Sequence, residues 1–200
     1  MGEELKNPRE EQEIKGVVYK YTQKPLHPDF LELCKKLDYV IGVPKSTDTW
    51  EFDHKLHIQH NAKDVENLWI AYVNGKPVGC AGYRWHGRRV AEVRRVFVDD
   101  EYRGRSIGAN LIRFVEAGAK EQGYHALILQ TKPSLASAMK LYEYLGYTKR
   151  IKLGQYSAKP NAVCLAKVIY PKKRQLTEGI LPPPPLPRKI ARYLPKVQSR

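Results

Sequence analysis

The chain has few cysteines, no long apolar run and a shortage of acidic side chains. Only Cys34, Cys80 and Cys164 occur in 200 residues. An odd number of widely spaced thiols in apolar surroundings excludes a disulfide framework and fits reduced, buried side chains. No stretch approaches the ~20 apolar residues that a membrane-spanning helix requires. Met1 to Glu13 is polar and charged, without the apolar core of a secretory leader, so the expected location is cytoplasmic. The Gly-Lys-Ser/Thr ending of a Walker loop is missing, and so is the three-glycine dinucleotide fingerprint. What is present is 42% hydrophobic residues, enough for one domain with a true core.

Lys and Arg number 35 against 21 Asp and Glu, a net charge of +14. From Pro171 to Arg200 eight basic residues stand against Glu178 alone, so half of the excess sits in a short tail. Such a surface attracts polyanions of any kind: nucleic acid, acidic lipid or a phosphorylated small molecule. The run Leu181-Pro-Pro-Pro-Pro-Leu-Pro187 cannot continue a sheet and predicts an extended polyproline segment before a basic stretch. Pro184-x-x-Pro187-x-Lys189 also fits one orientation of an SH3 ligand.

Along the chain, residues 1–15 are rich in Glu, Lys and Asn and read as disordered. Gly16 to Thr22 reads as a strand. Phe30, Leu31, Cys34, Leu37 and Ile41 recur at helical spacing, and Gly42-Val43-Pro44 ends that helix. Three strand-like runs follow, Leu68–Val73, Lys76–Trp85 and Arg89–Val98, joined by Asn74-Gly75 and by His86-Gly87-Arg88. Then the period changes. Ile107, Leu111, Phe114, Val115 and Gly118 mark one helix face, His125–Thr131 a buried strand, and Leu135–Leu145 a second helix. Tyr147–Leu153 and Ala162–Ile169 close the pattern as strands. The order predicts an α/β (α+β) domain over residues 16–170: a mixed, mostly antiparallel sheet of six to seven strands flanked by helices.

The chemistry concentrates in Val96-Phe-Val-Asp-Asp-Glu-Tyr-Arg-Gly-Arg-Ser-Ile-Gly-Ala109. A strand ends near Val98, a polar turn follows, and a helix starts near Ser106. Free backbone N–H groups and the positive end of the helix dipole meet there, which suits a phosphate. Gly104 and Gly108 allow close approach to the backbone, while Arg103 and Arg105 supply charge. A plain capped helix with Ser106 as its N-cap would use the same residues.

Tyr102-Arg-Gly-Arg-Ser-Ile-Gly-Ala-Asn-Leu-Ile112 resembles the Arg/Gln-x-x-Gly-x-Gly/Ala signature of the GNAT superfamily of N-acetyltransferases. Leu141-Tyr-Glu-Tyr-Leu-Gly-Tyr147 resembles that superfamily's second signature, Leu-Tyr-x-x-x-Gly-Phe/Tyr. The resemblance covers residues 17–169. It implies the acyl-CoA N-acyltransferase fold, acetyl-CoA as cosubstrate without a metal, and attack of an amine directly on the thioester. It places the diphosphate on Arg103, Gly104, Arg105, Ser106, Ile107, Gly108 and Ala109. The pantetheine arm would lie along Val96, Phe97 and Val98, held by main-chain atoms. Tyr142 matches the tyrosine that protonates the leaving thiolate, and Glu92 stands at the strand position of a base acting through water. Strict alternation sets Glu92 on the face of Val96 and Val98, opposite Phe97.

Three positions depart from the family pattern. Ser106 replaces the first signature glycine, Gln130 stands where some members carry a glutamate, and Leu135 beside Ser134 occupies the place of an asparagine. His54, His57 and His60 are spread too widely around a helix for one metal. Trp50, Phe52 and Trp85 could line an amine site, with Asp48, Glu51 and Asp53 drawing in a cation. The expected acceptor is a small-molecule primary amine, with a protein N-terminus or lysine second. Two other functions share these features: an acyl-CoA sensor without turnover, and a nucleic-acid or ribosome-associated module using the tail. A homodimer clasped by that tail is compatible with the same sequence.

Overall fold

The computed structural model describes residues 7–42, 57–87, 89–150 and 162–169. Trp50, Phe52, His54 and the acidic residues near them lie outside these, as does the proline-rich tail. The chain divides into two compact units, residues 1–84 with 93–118, and residues 85–92 with 119–200.

The first unit opens on β1 (Gln12–Ile14) and β2 (Val17–Thr22), antiparallel with Ile14 opposite Val17. This hairpin lies partly in a stretch whose polar composition pointed to disorder. Lys15 and Gly16 both have positive φ, 52° and 75°. That is the backbone a two-residue hairpin turn demands, and Lys at the first position hides it from a search for Asn-Gly. Helix α1 (Pro28–Val40) starts on a proline, whose missing N–H is harmless in a first turn. Residues 57–62 form a short helix, α2.

β3 (Asn67–Val73) and β4 (Lys76–Gly87) are joined by Asn74-Gly75, with φ of 50° and 76° as the dipeptide predicts. β5 (Val90–Val98) leads through a 3-10 turn at Asp100–Tyr102 into α3 (Ile107–Glu121). Leu68, Ile70, Cys80 and Phe97 pack with Phe30, Leu33 and Cys34 of α1. The alternate β3 residue Trp69 meets α3, where a Cβ on Gly118 would stand 2.5 Å from the indole.

The second unit holds β6 (Ala126–Thr131), α4 (Ala136–Tyr144), β7 (Thr148–Arg150) and β8 (Val163–Val168). Val90, Ala126, Ile128, Cys164 and Ala166 form its apolar cluster. β4 and β5 contribute residues to both units, and the sheet order is β1-β2-β3-β4-β5-β6-β8-β7. The β5–β6 pair is parallel, and the β1–β2, β2–β3, β3–β4, β6–β8 and β7–β8 pairs are antiparallel. This is the mixed, mostly antiparallel sheet flanked by helices that the sequence predicts. Among the described residues it has eight strands, because β1 adds one at the edge.

β5 departs from regularity in two ways. Its register with β6 runs only from Val90↔Ala126 to Glu92↔Ile128, although the strand continues to Val98. Three residues past Glu92, Arg95 takes φ 53°, a left-handed conformation rare for a side chain of this size. A bulge of this kind breaks the alternation of side chains. Regular alternation, on which the shared face of Glu92, Val96 and Val98 was expected, is therefore interrupted at Arg95.

Candidate active site

In the first unit, the end of β5 is anchored before the turn begins. The Asp99 N–H donates to the Val78 carbonyl at 2.8 Å, and its carboxylate meets Lys36 Nζ at 2.8 Å. The hydrogen bond from Lys36 holds the Asp99 carboxyl below its ordinary range, and the same bond raises the Lys36 ammonium. Arg103 braces the loop: its Nε donates to the Val98 carbonyl at 3.2 Å and its Nη2 meets Asp100 at 2.6 Å. Arg105 stacks over the Tyr102 ring, 5.4 Å from its centroid.

Gly104 and Ser106 both adopt left-handed backbone, φ 78° and 61°. The Asn110 N–H donates to the Ser106 carbonyl at 3.0 Å, so Ser106 is the residue on which α3 begins. The amides of Ile107, Gly108 and Ala109 open the helix without intrahelical partners. Ile107 and Ala109 bury their side chains, so only their main chain is offered to a ligand. Beside this turn lies a cavity of about 330 Å³ lined by Lys15, Gly16, Val17, Val73, Gly104, Arg105 and Ser106. Two cations, two glycines and a helix N-terminus fit the phosphates of a nucleotide thioester. Lys15 carries no sequence signal for this position, because the polar composition of residues 1–15 predicts disorder rather than a hairpin.

In the second unit, Glu92 is 1% exposed and its Oε2 lies 3.8 Å from His86 Nδ1. Gln130 follows two residues after Ile128, the register partner of Glu92, and its Nε2 is buried with no hydrogen-bond partner among the described residues. Tyr142 is buried on α4, with its ring edge-on to Tyr147 at 5.8 Å between centroids. Burial pushes the Tyr142 phenol above its ordinary range. Tyr144, two residues further along the helix, is 75% exposed. Leu135 caps α4 without a side-chain hydrogen bond, the cost of lacking a polar residue there. His57 Nε2 lies 3.9 Å from Asp38, and His54 lies outside the described residues.

The Acetyltransferase (GNAT) family profile matches residues 36–147. The chain belongs to the GNAT acetyltransferase family. An IAA acetyltransferase of Azospirillum brasilense is 30% identical over 72% of this chain and 94% of its own length. An uncharacterized N-acetyltransferase of Methanocaldococcus jannaschii is 31% identical, over 68% of this chain but only 63% of its own length. A GNAT-family acetyltransferase structure from Staphylococcus aureus superposes with a TM-score of 0.58, at 20% identity over 76% of this chain and 99% of the other. Members of this family use acyl-CoA and an acceptor substrate.

Two expectations follow for this acetyltransferase. Ser106→Gly removes a non-glycine residue from φ 61°. It should stabilise the fold by about 1 kcal/mol and tighten coenzyme A binding several-fold, read by denaturant titration and calorimetry. The second expectation concerns alkali. Burial raises the phenols of Tyr142 and Tyr72, and Tyr72 also donates to Asp29 at 2.7 Å. A phenol raised on folding stabilises the native state below its unfolded pKa, about 10, and that contribution fades as pH climbs higher. The denaturation midpoint should hold from about pH 7 to 9 and fall above about 10, less steeply in Tyr142→Phe. An equal midpoint at about pH 11 would place these phenols in solvent.

Proposed function

We propose that this chain transfers an acetyl group from acetyl-CoA to a primary amine of a small molecule, by direct attack of the amine on the thioester. The observation that carries the reading is the turn at Arg103–Ala109 with its cavity and flanking Lys15 and Arg105. In this reading the amides of Gly104 to Ala109 hold the diphosphate. Main-chain groups of Val96, Phe97 and Val98 hold the acyl arm, and one of their N–H groups polarises the carbonyl. Glu92 removes the proton that makes the amine nucleophilic, through a water, and Tyr142 returns one to the departing sulfur.

The test is thiol release from acetyl-CoA with a panel of amines. Amine-dependent release is expected, and Glu92→Gln should lower it by about 10²-fold with little change in coenzyme A affinity. Uptake of coenzyme A without release for any amine would instead make the chain an acyl-CoA-binding protein. No uptake at all would overturn both.

A further inference from the structure

The left-handed residue in β5 is held by a buried ion pair. Arg95 has φ 53°, a conformation costing an ordinary residue about 1–2 kcal/mol. Its Nη1 donates to Asp38 Oδ1 at 2.6 Å, with both side chains buried, 7% and 1% exposed. The Arg95 carbonyl accepts the Cys80 thiol of β4 at 3.2 Å. Arg95 is thus tied through its side chain to α1 and through its main chain to β4. His57 approaches the other Asp38 oxygen at 3.9 Å, and Asn61 Nδ2 lies 3.2 Å from that histidine's Nε2.

A packed apolar pair would stabilise such a position at least as well as an ion pair does. Asp38 also stands near the C-terminal end of α1, where the helix dipole disfavours a carboxylate. What the pair contributes is direction. The single Nη1–Oδ1 bond tethers the end of the Arg95 side chain to α1, while its Nε is buried without a hydrogen-bond partner among the described residues, so Asp38 fixes where that side chain leaves the strand. That in turn fixes the bulge and the course of the next three residues, Val96 to Val98.

We infer that Asp38 and Arg95 are positioning residues for acyl transfer: the pair sets the bulge that presents the Val96–Val98 main chain to the acyl arm. The inference rests on the acyl-arm assignment given under Proposed function. The two fail separately, because wild-type protein that releases no thiol overturns that reading whatever the pair does.

The test is the double variant Asp38→Asn/Arg95→Gly, which removes both charges together and leaves glycine free to adopt or abandon the left-handed backbone. Amide hydrogen exchange is measured on the ligand-free protein, and kcat and the Kd for coenzyme A on the complete assay. In the variant, exchange at Val96–Val98 should rise about 10-fold relative to β3, and kcat should fall about 10-fold. The Kd for coenzyme A, governed by the phosphate turn, should stay within about twofold. A purely structural pair would lower the melting temperature while leaving exchange at these three amides and kcat at their wild-type values, which overturns the inference. A change in only one of the two overturns it as well. Should the double variant fail to fold, Arg95→Lys decides: it keeps the charge but loses the reach and planar shape of the guanidinium. Faster exchange at Val96–Val98 with a several-fold lower kcat then supports the inference, and wild-type values for both overturn it.

Discussion

Tyr142→Phe is expected to lower kcat about 10²-fold while leaving KM for acetyl-CoA and for the amine close to the parent values. The substitution deletes one oxygen. The ring keeps its edge-on contact with Tyr147 at 5.8 Å and its buried place on α4, so the melting temperature should barely move at neutral pH. Because burial raises the phenol, Tyr142 remains protonated through the working range, so in the proposed reaction its proton is there for the departing sulfur. The kcat profile should therefore show no alkaline limb from this group below about pH 10. A Phe variant with unchanged kcat would remove the acid assignment and return Tyr142 to a packing role.

Gly118→Val should strongly destabilise the first unit. A Cβ at this position would stand 2.5 Å from Trp69 Cη2 and 2.9 Å from Cζ2. The indole cannot step aside. It is fully buried, its Nε1 donates to the Pro8 carbonyl at 2.6 Å, and Tyr21 and Tyr83 flank it with centroids at 5.1 and 6.1 Å. Overpacking against so fixed a ring should cost about 3 kcal/mol or more, lowering the melting temperature by roughly 6–12 °C. Gly118→Ala should cost less, since the clash is partly offset by about 1 kcal/mol of helix propensity. Trp69→Leu should suppress the alanine effect if the indole is its cause, which a double-mutant cycle measures. Equal stability of wild type and the valine variant would mean that α3 packs elsewhere.

Much of this architecture was legible because local chemistry and global pattern agree. Asn74-Gly75 specifies its hairpin through φ alone, and Ile107 to Gly118 marks a helix face through its period. The glycine turn and the second signature identified the family, since two linked motifs constrain one another. What escaped notice depended on contacts distant in sequence. Lys15 reaches the cavity only because the β1–β2 hairpin forms, and its Gln-Glu-Ile strand carries no apolar alternation to announce it. Arg95 and Asp38 are 57 residues apart, and neither neighbourhood hints at the other. The shared face expected for Glu92, Val96 and Val98 presumes regular alternation, which the left-handed Arg95 interrupts. Alternation along a strand is a local rule, and the bulge is held by a partner on another element.

Once Trp50 is replaced by phenylalanine, Trp69 and Trp85 give each unit its own optical reporter. The first is sealed in apolar surroundings with its indole N–H bonded, while the second is 61% exposed. Acrylamide should reach the emission of Trp85 long before that of Trp69. A red shift in the sheltered component then marks the opening of the first unit.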